Sequence, residues 1–146
     1  MSLRIVGDYF VWDKGDDITL SPHFKTSEFN CRCKNESCHT QSINKEVISR
    51  LEQIRSEVGE PLRITSAFRC ADQQRYLRNA GVSTVVAQNK STHESGDAVD
   101  VQVISTKSDR MARLLVAAEK VFKSIGLAKT FLHLDLRDDK IRRWNY

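Results

Sequence analysis

Apolar and polar positions divide the chain into segments with helical spacing and segments that alternate. After Asn44, apolar residues recur every three or four positions, which predicts a helix that Asn44 caps and Gly59 ends. A continuous apolar face after Ser108 or Asp109 predicts a second, long helix that ends at Gly126. Each helix has one apolar side, so each is expected to cover a hydrophobic core.

Shorter segments alternate apolar and polar residues, which is typical of half-buried strands. Extended segments are therefore expected at Tyr9–Trp12, Ile18–Leu20, Pro61–Phe68, Ala98–Ile104 and Phe131–Arg137. After Arg69 a further helix is predicted, closed by Gly81. The polar loop that follows, over residues 81–91, is long enough to form a rim or lid.

Length and charge limit what these elements can build. With 146 residues and 40% hydrophobic content, the chain can form one compact domain over residues 1–146, and we expect residues 1–23 to pack on its core as an arm. The formal net charge is +4, from 23 basic and 19 acidic residues that are interspersed, which indicates a mixed solvated surface. The aromatic residues do not interleave with a basic stripe, so we expect no nucleic-acid partner.

Two further observations bear on location. No apolar run approaches the roughly 18 residues that a membrane span needs, so we expect no membrane partner. Residues 1–17 lack the sustained apolar core of a secretory signal, so the protein is expected to be made in the cytoplasm.

Candidate metal ligands occur in two segments. His93 and Asp100 are separated by six residues, and strand alternation directs Asp100 away from the core valines on either side of it. In the later segment, His133 and Asp135 would project to the same side of a strand. Imidazole and carboxylate groups bind Zn²⁺, and a catalytic zinc site has about three protein ligands and one open position. These residues therefore predict a metal site.

The cysteines allow three interpretations. Cys31, Cys33 and Cys38 lie close together in the sequence, whereas Cys70 is distant from them. Free, partly buried thiols are the simplest interpretation. One or two disulfides are compatible with the even number, although the absence of a signal sequence argues for a reducing compartment. A structural zinc site made of three or four cysteines, with or without His39, is the third, but its spacing is not that of common zinc modules.

Three pieces of the sequence together resemble a known family. They are SAFR at residues 66–69, S-x-H-x-x-G-x-A-x-D at residues 91–100, and H-x-D at residues 133–135. In this order they resemble the zinc peptidases that cut D-amino-acid-containing bonds of peptidoglycan stem peptides. This is the D-alanyl-D-alanine carboxypeptidase and phage endolysin group, which shares its fold with Hedgehog signalling domains. The resemblance extends from about Phe24 to Trp144.

The resemblance implies a role for each matching residue. His93, Asp100 and His133 would bind a single Zn²⁺ ion, and Arg69 would grip a substrate carboxylate or carbonyl with its forked guanidinium. Ser91 would orient a ligand through a hydrogen bond. In the same motif Gly96 would permit close backbone approach, and Ala98 would leave room beside the ligands.

The sequence departs from the family pattern at the general base. Many relatives have an acidic residue three positions before the last histidine, where this chain has Thr130. Asp135 is the predicted substitute, since it lies on the same side of the strand as His133. An alternative role for Asp135 is structural, as a salt-bridge partner or as an acceptor behind a ligand. Glu94 and Asp97 are weaker candidates for the base.

The pattern and the resemblance together predict an α+β domain, with a small, mainly antiparallel sheet flanked by helices and zinc in a cleft at the sheet edge. The expected activity is zinc-dependent hydrolysis of a peptide bond in peptidoglycan by a monomer. Such a protein would act at the bacterial cell wall as a phage or prophage endolysin, or as a virion-associated lysin. The alternative is a non-catalytic zinc-containing binding or virion structural module of the same fold.

Overall fold

The computed structural model describes residues 3–79 and 92–146. Its strands are β1 (Arg4–Val6), β2 (Tyr9–Asp13), β3 (Thr19–Ser21), β4 (Phe24–Lys25), β5 (Thr40–Asn44), β6 (Leu62–Ser66), β7 (Ala98–Val103), β8 (Ser124–Leu127), β9 (Leu132–Asp135) and β10 (Arg142–Asn145). Its helices are α1 (Lys45–Val58), α2 (Ala71–Asn79) and α3 (Arg110–Glu119), with a 3-10 helix at Thr26–Phe29. The predicted α+β class, with a mainly antiparallel sheet and flanking helices, is confirmed.

The largest sheet has the strand order β10-β8-β9-β7-β6. Its neighbours are antiparallel except for β10, which runs parallel to β8. Val99 and Val101 of β7 are fully buried, and α3 packs on this strand and on α1. The register of β7 against β9 places Asp100 directly opposite His133. The sheet thus holds two of the predicted metal ligands in fixed positions.

The N-terminal residues form short strands. Within the described part of residues 1–23, β1 pairs with β2, which in turn pairs with β5 in a three-stranded sheet, and β3 pairs with β4. Trp12 of β2 is fully buried in the same hydrophobic cluster as the apolar face of α1. Because the backbone N–H of Asn44 donates to the carbonyl of Gly96 at 2.8 Å, β5 also contacts the turn before β7.

Helix α1 has the boundaries that the sequence predicts. The Asn44 side chain accepts a hydrogen bond from the backbone N–H of Glu46, which satisfies one of the unpaired donors in the first turn. Gly59 adopts a left-handed conformation with φ 72°, and its N–H donates to the carbonyl of Arg55. Both signals lie within a few residues of the helix, so local sequence suffices to find them.

The prediction of one helix as far as Gly126 is wrong. Helix α3 ends at Glu119, and Ser124–Leu127 is strand β8, which lies between β10 and β9. A four-residue strand is too short to show alternation, so its apolar residues continue the helical pattern in the sequence. Gly126 allows close packing instead of ending a helix, because a Cβ atom there would lie 2.6 Å from the Trp144 ring.

Some predictions fall outside the described residues. They are the end at Gly81 of the helix predicted after Arg69, the loop over residues 81–91, and the role of Ser91. Among the helices in residues 3–79 and 92–146, none has the length and apolar character needed to cross a membrane.

Candidate active site

The three predicted metal ligands meet beside the strand pair β7 and β9. Asp100 and His133 face each other across these strands, and His93 lies in the turn just before β7. The backbone N–H of Arg69 donates to the carbonyl of His93 at 3.2 Å, which ties the segment after β6 to this turn. The two sequence motifs therefore form one site, although they are far apart in the chain.

The turn that carries His93 depends on a glycine. Gly96 has φ 78°, a conformation that side chains disfavour, and a Cβ atom there would lie 3.0 Å from the carbonyl oxygen of Ser42 in β5. The predicted close approach is therefore present, but it is made to β5 rather than between the ligands.

The ligand atoms have the mutual spacing of a tetrahedral zinc site. His93 Nε2 lies 3.2 Å from His133 Nδ1 and 3.3 Å from Asp100 Oδ1. His133 Nδ1 lies 3.0 Å from Asp100 Oδ1. Ligands about 2.0–2.1 Å from a tetrahedral zinc ion are separated by about 3.3 Å, so the three atoms fit around one ion. All three side chains are buried, which makes the site a compact one.

The outer nitrogens of both imidazoles have fixed acceptors. His93 Nδ1 lies 2.7 Å from the carbonyl oxygen of Ala67, and His133 Nε2 lies 2.8 Å from Asp135 Oδ2. Since a carbonyl and an ionised carboxylate only accept hydrogen bonds, each of these nitrogens must be the donor. In the neutral imidazoles the other two nitrogens, His93 Nε2 and His133 Nδ1, then carry lone pairs, and both point toward the Asp100 carboxylate. A cation, or in its absence a shared proton, must lie among them.

The pKa values follow from this arrangement. Burial lowers the pKa of His93 below its ordinary value, because the charged imidazolium is poorly solvated there. Burial acts in the same direction on His133, but hydrogen bonds to Asp100 and Asp135 outweigh it and raise the pKa of His133. Burial alone would raise the pKa of Asp100, yet the neighbouring imidazoles hold that pKa well below its ordinary value. In the metal-free site, His133 therefore holds a proton more readily than His93 does.

Asp135 lies on the same side of β9 as His133, as alternation predicts, but behind it. Its carboxylate is fully buried and accepts hydrogen bonds from His133 Nε2 on one oxygen and from Arg137 Nε on the other, the second at 2.9 Å. The contact is to the nitrogen of His133 that faces away from the other ligands. These contacts match the alternative, structural role of Asp135 more closely than the predicted role of general base, which requires reach to a reacting water.

Arg69 lies beside the ligands, next to the other oxygen of Asp100. Its Nη2 is 3.4 Å from Asp100 Oδ2, and its Nε donates to Ser66 Oγ at 3.1 Å. Ser66 is the first residue of the SAFR motif, so the motif orients its own arginine. A guanidinium in this position can hold a carboxylate or carbonyl close to the metal ligands.

The weaker candidates for the base differ in their contacts. Asp97 Oδ1 accepts hydrogen bonds from the Tyr9 hydroxyl at 2.7 Å and from Asn44 Nδ2 at 3.1 Å, so this carboxylate attaches the turn to the N-terminal sheet. Glu94 is half-buried and directly follows His93. Thr130 has no carboxylate, and its carbonyl accepts from Gln102 Nε2 at 3.1 Å.

Trp144 lies beside the candidate ligands, although no sequence motif pointed to it. Its ring lies 5.4 Å from the His133 ring and 5.7 Å from the guanidinium of Arg137. Tyr146 extends this aromatic wall, 6.5 Å from Trp144. The basic and aromatic end RRWNY was visible in the sequence, but the parallel pairing of β10 with β8, which brings it to His133, was not.

A family model described as Peptidase M15 matches residues 22–135. The chain belongs to the peptidase M15 family. This confirms the resemblance found in the sequence, and the matched range contains Arg69, His93, Asp100, His133 and Asp135.

One solved structure similar to this M15 chain is the crystal structure of an L-Ala D-Glu endopeptidase from Serratia marcescens, with 23% sequence identity and a TM-score of 0.45. The similar part covers 54% of this chain and 61% of the Serratia chain, so it spans less than two thirds of that protein's length. Among curated proteins, no sequence matches the chain.

Proposed function

We propose that this M15 family member is a zinc-dependent peptidase that hydrolyses a peptide bond in peptidoglycan stem peptides or cross-links, at the bacterial cell wall. The observation that carries the proposal is the convergence of His93 Nε2, Asp100 Oδ1 and His133 Nδ1 within 3.0–3.3 Å of one another. Three such ligands leave one position of a tetrahedral ion open, as catalytic zinc sites do.

Bound zinc would supply a Lewis acid that polarises the scissile carbonyl and lowers the pKa of water. The chain's own residues hold the ligands ready for it. The Ala67 carbonyl fixes the tautomer of His93, and Asp135 fixes that of His133. Arg137 in turn holds both oxygens of Asp135. Preorganised ligands of this kind need little rearrangement when the ion binds.

Arg69 is proposed to bind the substrate. Peptide stems of peptidoglycan carry free carboxylates, and a forked guanidinium binds carboxylates through two parallel hydrogen bonds. Because Arg69 Nη2 lies 3.4 Å from Asp100, a carboxylate held there would place the neighbouring peptide bond beside the metal ligands.

For the acid and base chemistry, we propose that Asp135 acts through His133 and that Glu94 is the candidate to exchange a proton with water. Glu94 directly follows the predicted metal ligand His93 and is half-buried, and Asp97 attaches the same turn to Tyr9 and Asn44. Replacing Glu94 by Gln should lower kcat while zinc content stays unchanged. Unchanged kcat in Glu94→Gln would remove it as the base.

The test of the activity is mass spectrometry of purified peptidoglycan digested with the zinc-loaded protein. New amino groups and shortened stem peptides are expected, and the masses distinguish loss of a terminal D-alanine from cleavage within the stem or a cross-link. The matched control is His93→Ala, which should release nothing. No products from the zinc-loaded wild-type protein would contradict the proposal and favour a non-catalytic zinc-containing module.

A further inference from the structure

All four cysteines of the chain meet in one cluster, which is distinct from the group of His93, Asp100 and His133. Cys31, Cys33 and Cys38 lie in the segment between the 3-10 helix and β5, and Cys70 lies just before α2. Their four sulfur atoms lie within 4.8 Å of one another. Cys31 is buried and the other three are half-buried, so the cluster lies at the edge of the core.

The measured sulfur separations match a tetrahedral metal site. Cys70 Sγ lies 3.7 Å from Cys31 Sγ and 3.8 Å from Cys33 Sγ. Four sulfurs at about 2.3 Å from a zinc ion form a tetrahedron with edges of about 3.8 Å. A disulfide bond, by contrast, joins two sulfurs at about 2.05 Å. The Cys70 sulfur therefore lies at nearly the same distance from two other sulfurs. A metal ion shared by several sulfurs requires this arrangement, whereas a disulfide bond joins only two.

Every sulfur of the cluster also accepts at least one hydrogen bond from a nitrogen, and this is a second, independent feature. The donors are the N–H of Cys70 to Cys31 at 3.4 Å, Lys14 Nζ to Cys33 at 3.6 Å, Gln41 Nε2 to Cys38 at 3.4 Å, and the N–H of Gln73 to Cys70 at 3.4 Å. Metal-bound thiolates commonly have such outer donors, and the ammonium of Lys14 offsets part of the negative charge that four thiolates bring to one cation.

We propose that Cys31, Cys33, Cys38 and Cys70 bind a structural Zn²⁺ ion, separate from the ion at His93, Asp100 and His133. Four soft thiolate ligands in tetrahedral arrangement select zinc or iron, and four protein ligands leave no position open for substrate. The ion joins the cysteine segment to the residue that directly follows Arg69.

The first test counts metal in the purified full chain. Zinc-loaded wild-type protein should hold two zinc ions, and Cys33→Ser and His93→Ala should each hold one. A zinc content of Cys33→Ser equal to that of the wild-type protein would overturn the proposal. Cys38→Ser removes a different half-buried ligand of the same site. It should therefore also hold one zinc ion.

The second test uses Co²⁺ in place of zinc. The chain has no cysteine outside the cluster, so sulfur-to-cobalt charge transfer in the near ultraviolet reports this site alone. The band should be present in the wild-type protein and in His93→Ala and absent in Cys33→Ser. Its absence from the cobalt-loaded wild-type protein overturns the proposal. The visible colour of iron bound to four thiolates, in protein as isolated, would overturn the assignment to zinc.

The third test separates the metal site from disulfides. Denatured without reductant and in the presence of a chelator, the wild-type protein should show four reactive thiols. A count of two thiols would mean one disulfide and a count of zero would mean two, and either count would overturn the proposal. Neither this count nor the cobalt band depends on peptidase activity, so the two-metal inference can fail or hold independently of the proposed function.

Discussion

The chain brings candidate metal ligands together in two regions that are built in different ways. The His93, Asp100 and His133 site lies on paired strands, and its outer nitrogens are held by Ala67 and Asp135. The cysteine cluster lies on connecting segments. Its sulfur atoms accept hydrogen bonds from nitrogen, whereas the imidazoles of the histidine site donate them. Three ligands leave a position for chemistry, whereas four close the coordination shell.

The difference teaches how the two regions should respond to substitution. Strand pairing positions the histidine site whether or not an ion is bound. Loss of a ligand from this site should therefore affect chemistry more than folding. The cysteine cluster lies on connecting segments outside the paired strands, so loss of an ion bound there should affect folding more than chemistry. Substitutions in each region can break or sharpen this contrast.

The largest effect is expected from His93→Ala, which should abolish peptidoglycan hydrolysis. The variant loses one of three ligands and keeps the strand pairing of β7 and β9, because His93 lies in the turn before β7. Product release by mass spectrometry measures activity, and thermal unfolding of the metal-free protein measures stability. A large drop in melting temperature along with activity would contradict the contrast.

Cys33→Ser should show the opposite balance. We expect the free energy of unfolding to fall by on the order of 3–5 kcal/mol, because binding of a structural zinc ion contributes directly to folding. Peptidase activity measured well below the melting temperature should remain detectable. Denaturant unfolding with and without chelator checks this, and an unchanged midpoint in the chelator would show that the cluster does not stabilise the fold.

Asp135→Asn tests the orienting role behind His133. The amide cannot accept the His133 proton as strongly as the carboxylate, so zinc affinity should fall by about 10–100-fold, as is usual when an outer partner of a ligand is lost. Competition with a chelating dye measures the affinity. If zinc affinity is unchanged while kcat collapses, Asp135 is the general base that the sequence first indicated.

Acidification should weaken zinc binding at the histidine site by about tenfold per pH unit once His133 is protonated. The pKa of His133 is raised, so its proton competes with zinc at a higher pH than an ordinary histidine proton would. In the metal-free protein, the same proton stabilises the fold at low pH, and this contribution is lost as pH rises through the raised pKa. Zinc titrations in a pH series test the first effect, and pH-independent affinity would contradict it.

The smallest effect is expected from Arg69→Lys, with KM raised by about tenfold and kcat changed less. Lysine keeps the charge but cannot form two parallel hydrogen bonds with a carboxylate. Steady-state kinetics on a stem peptide checks the balance of KM and kcat. An equal fall in kcat and kcat/KM would place Arg69 in the transition state instead of in substrate binding.

Much of the metal site could be predicted from the sequence, because its key information is local. Alternation along β7 and β9 directs Asp100 and His133 to the polar side, and caps at Asn44 and Gly59 mark α1. The register between the two strands is not local, but with both motifs in hand the ligands could be paired.

Other features could not be predicted, because they depend on contacts between distant segments. Nothing near Cys70 shows that it meets Cys31, 39 positions earlier. The short strand β8 continues the helical pattern of α3, so neither the strand nor its parallel partner β10 could be recognised. Without that pairing, Trp144 could not be placed against His133.

Trp144 packs directly on Gly126, so the size of the residue at position 126 affects where the aromatic wall of Trp144 and Tyr146 lies. A methyl group at position 126 would overlap the indole, which would have to shift from its place 5.4 Å from the His133 ring. A residue with no side chain, in the middle of a strand, thereby determines how closely the Trp144 ring can approach β8. Variants meant to move the aromatic wall should therefore begin at Gly126 rather than at the predicted metal ligands.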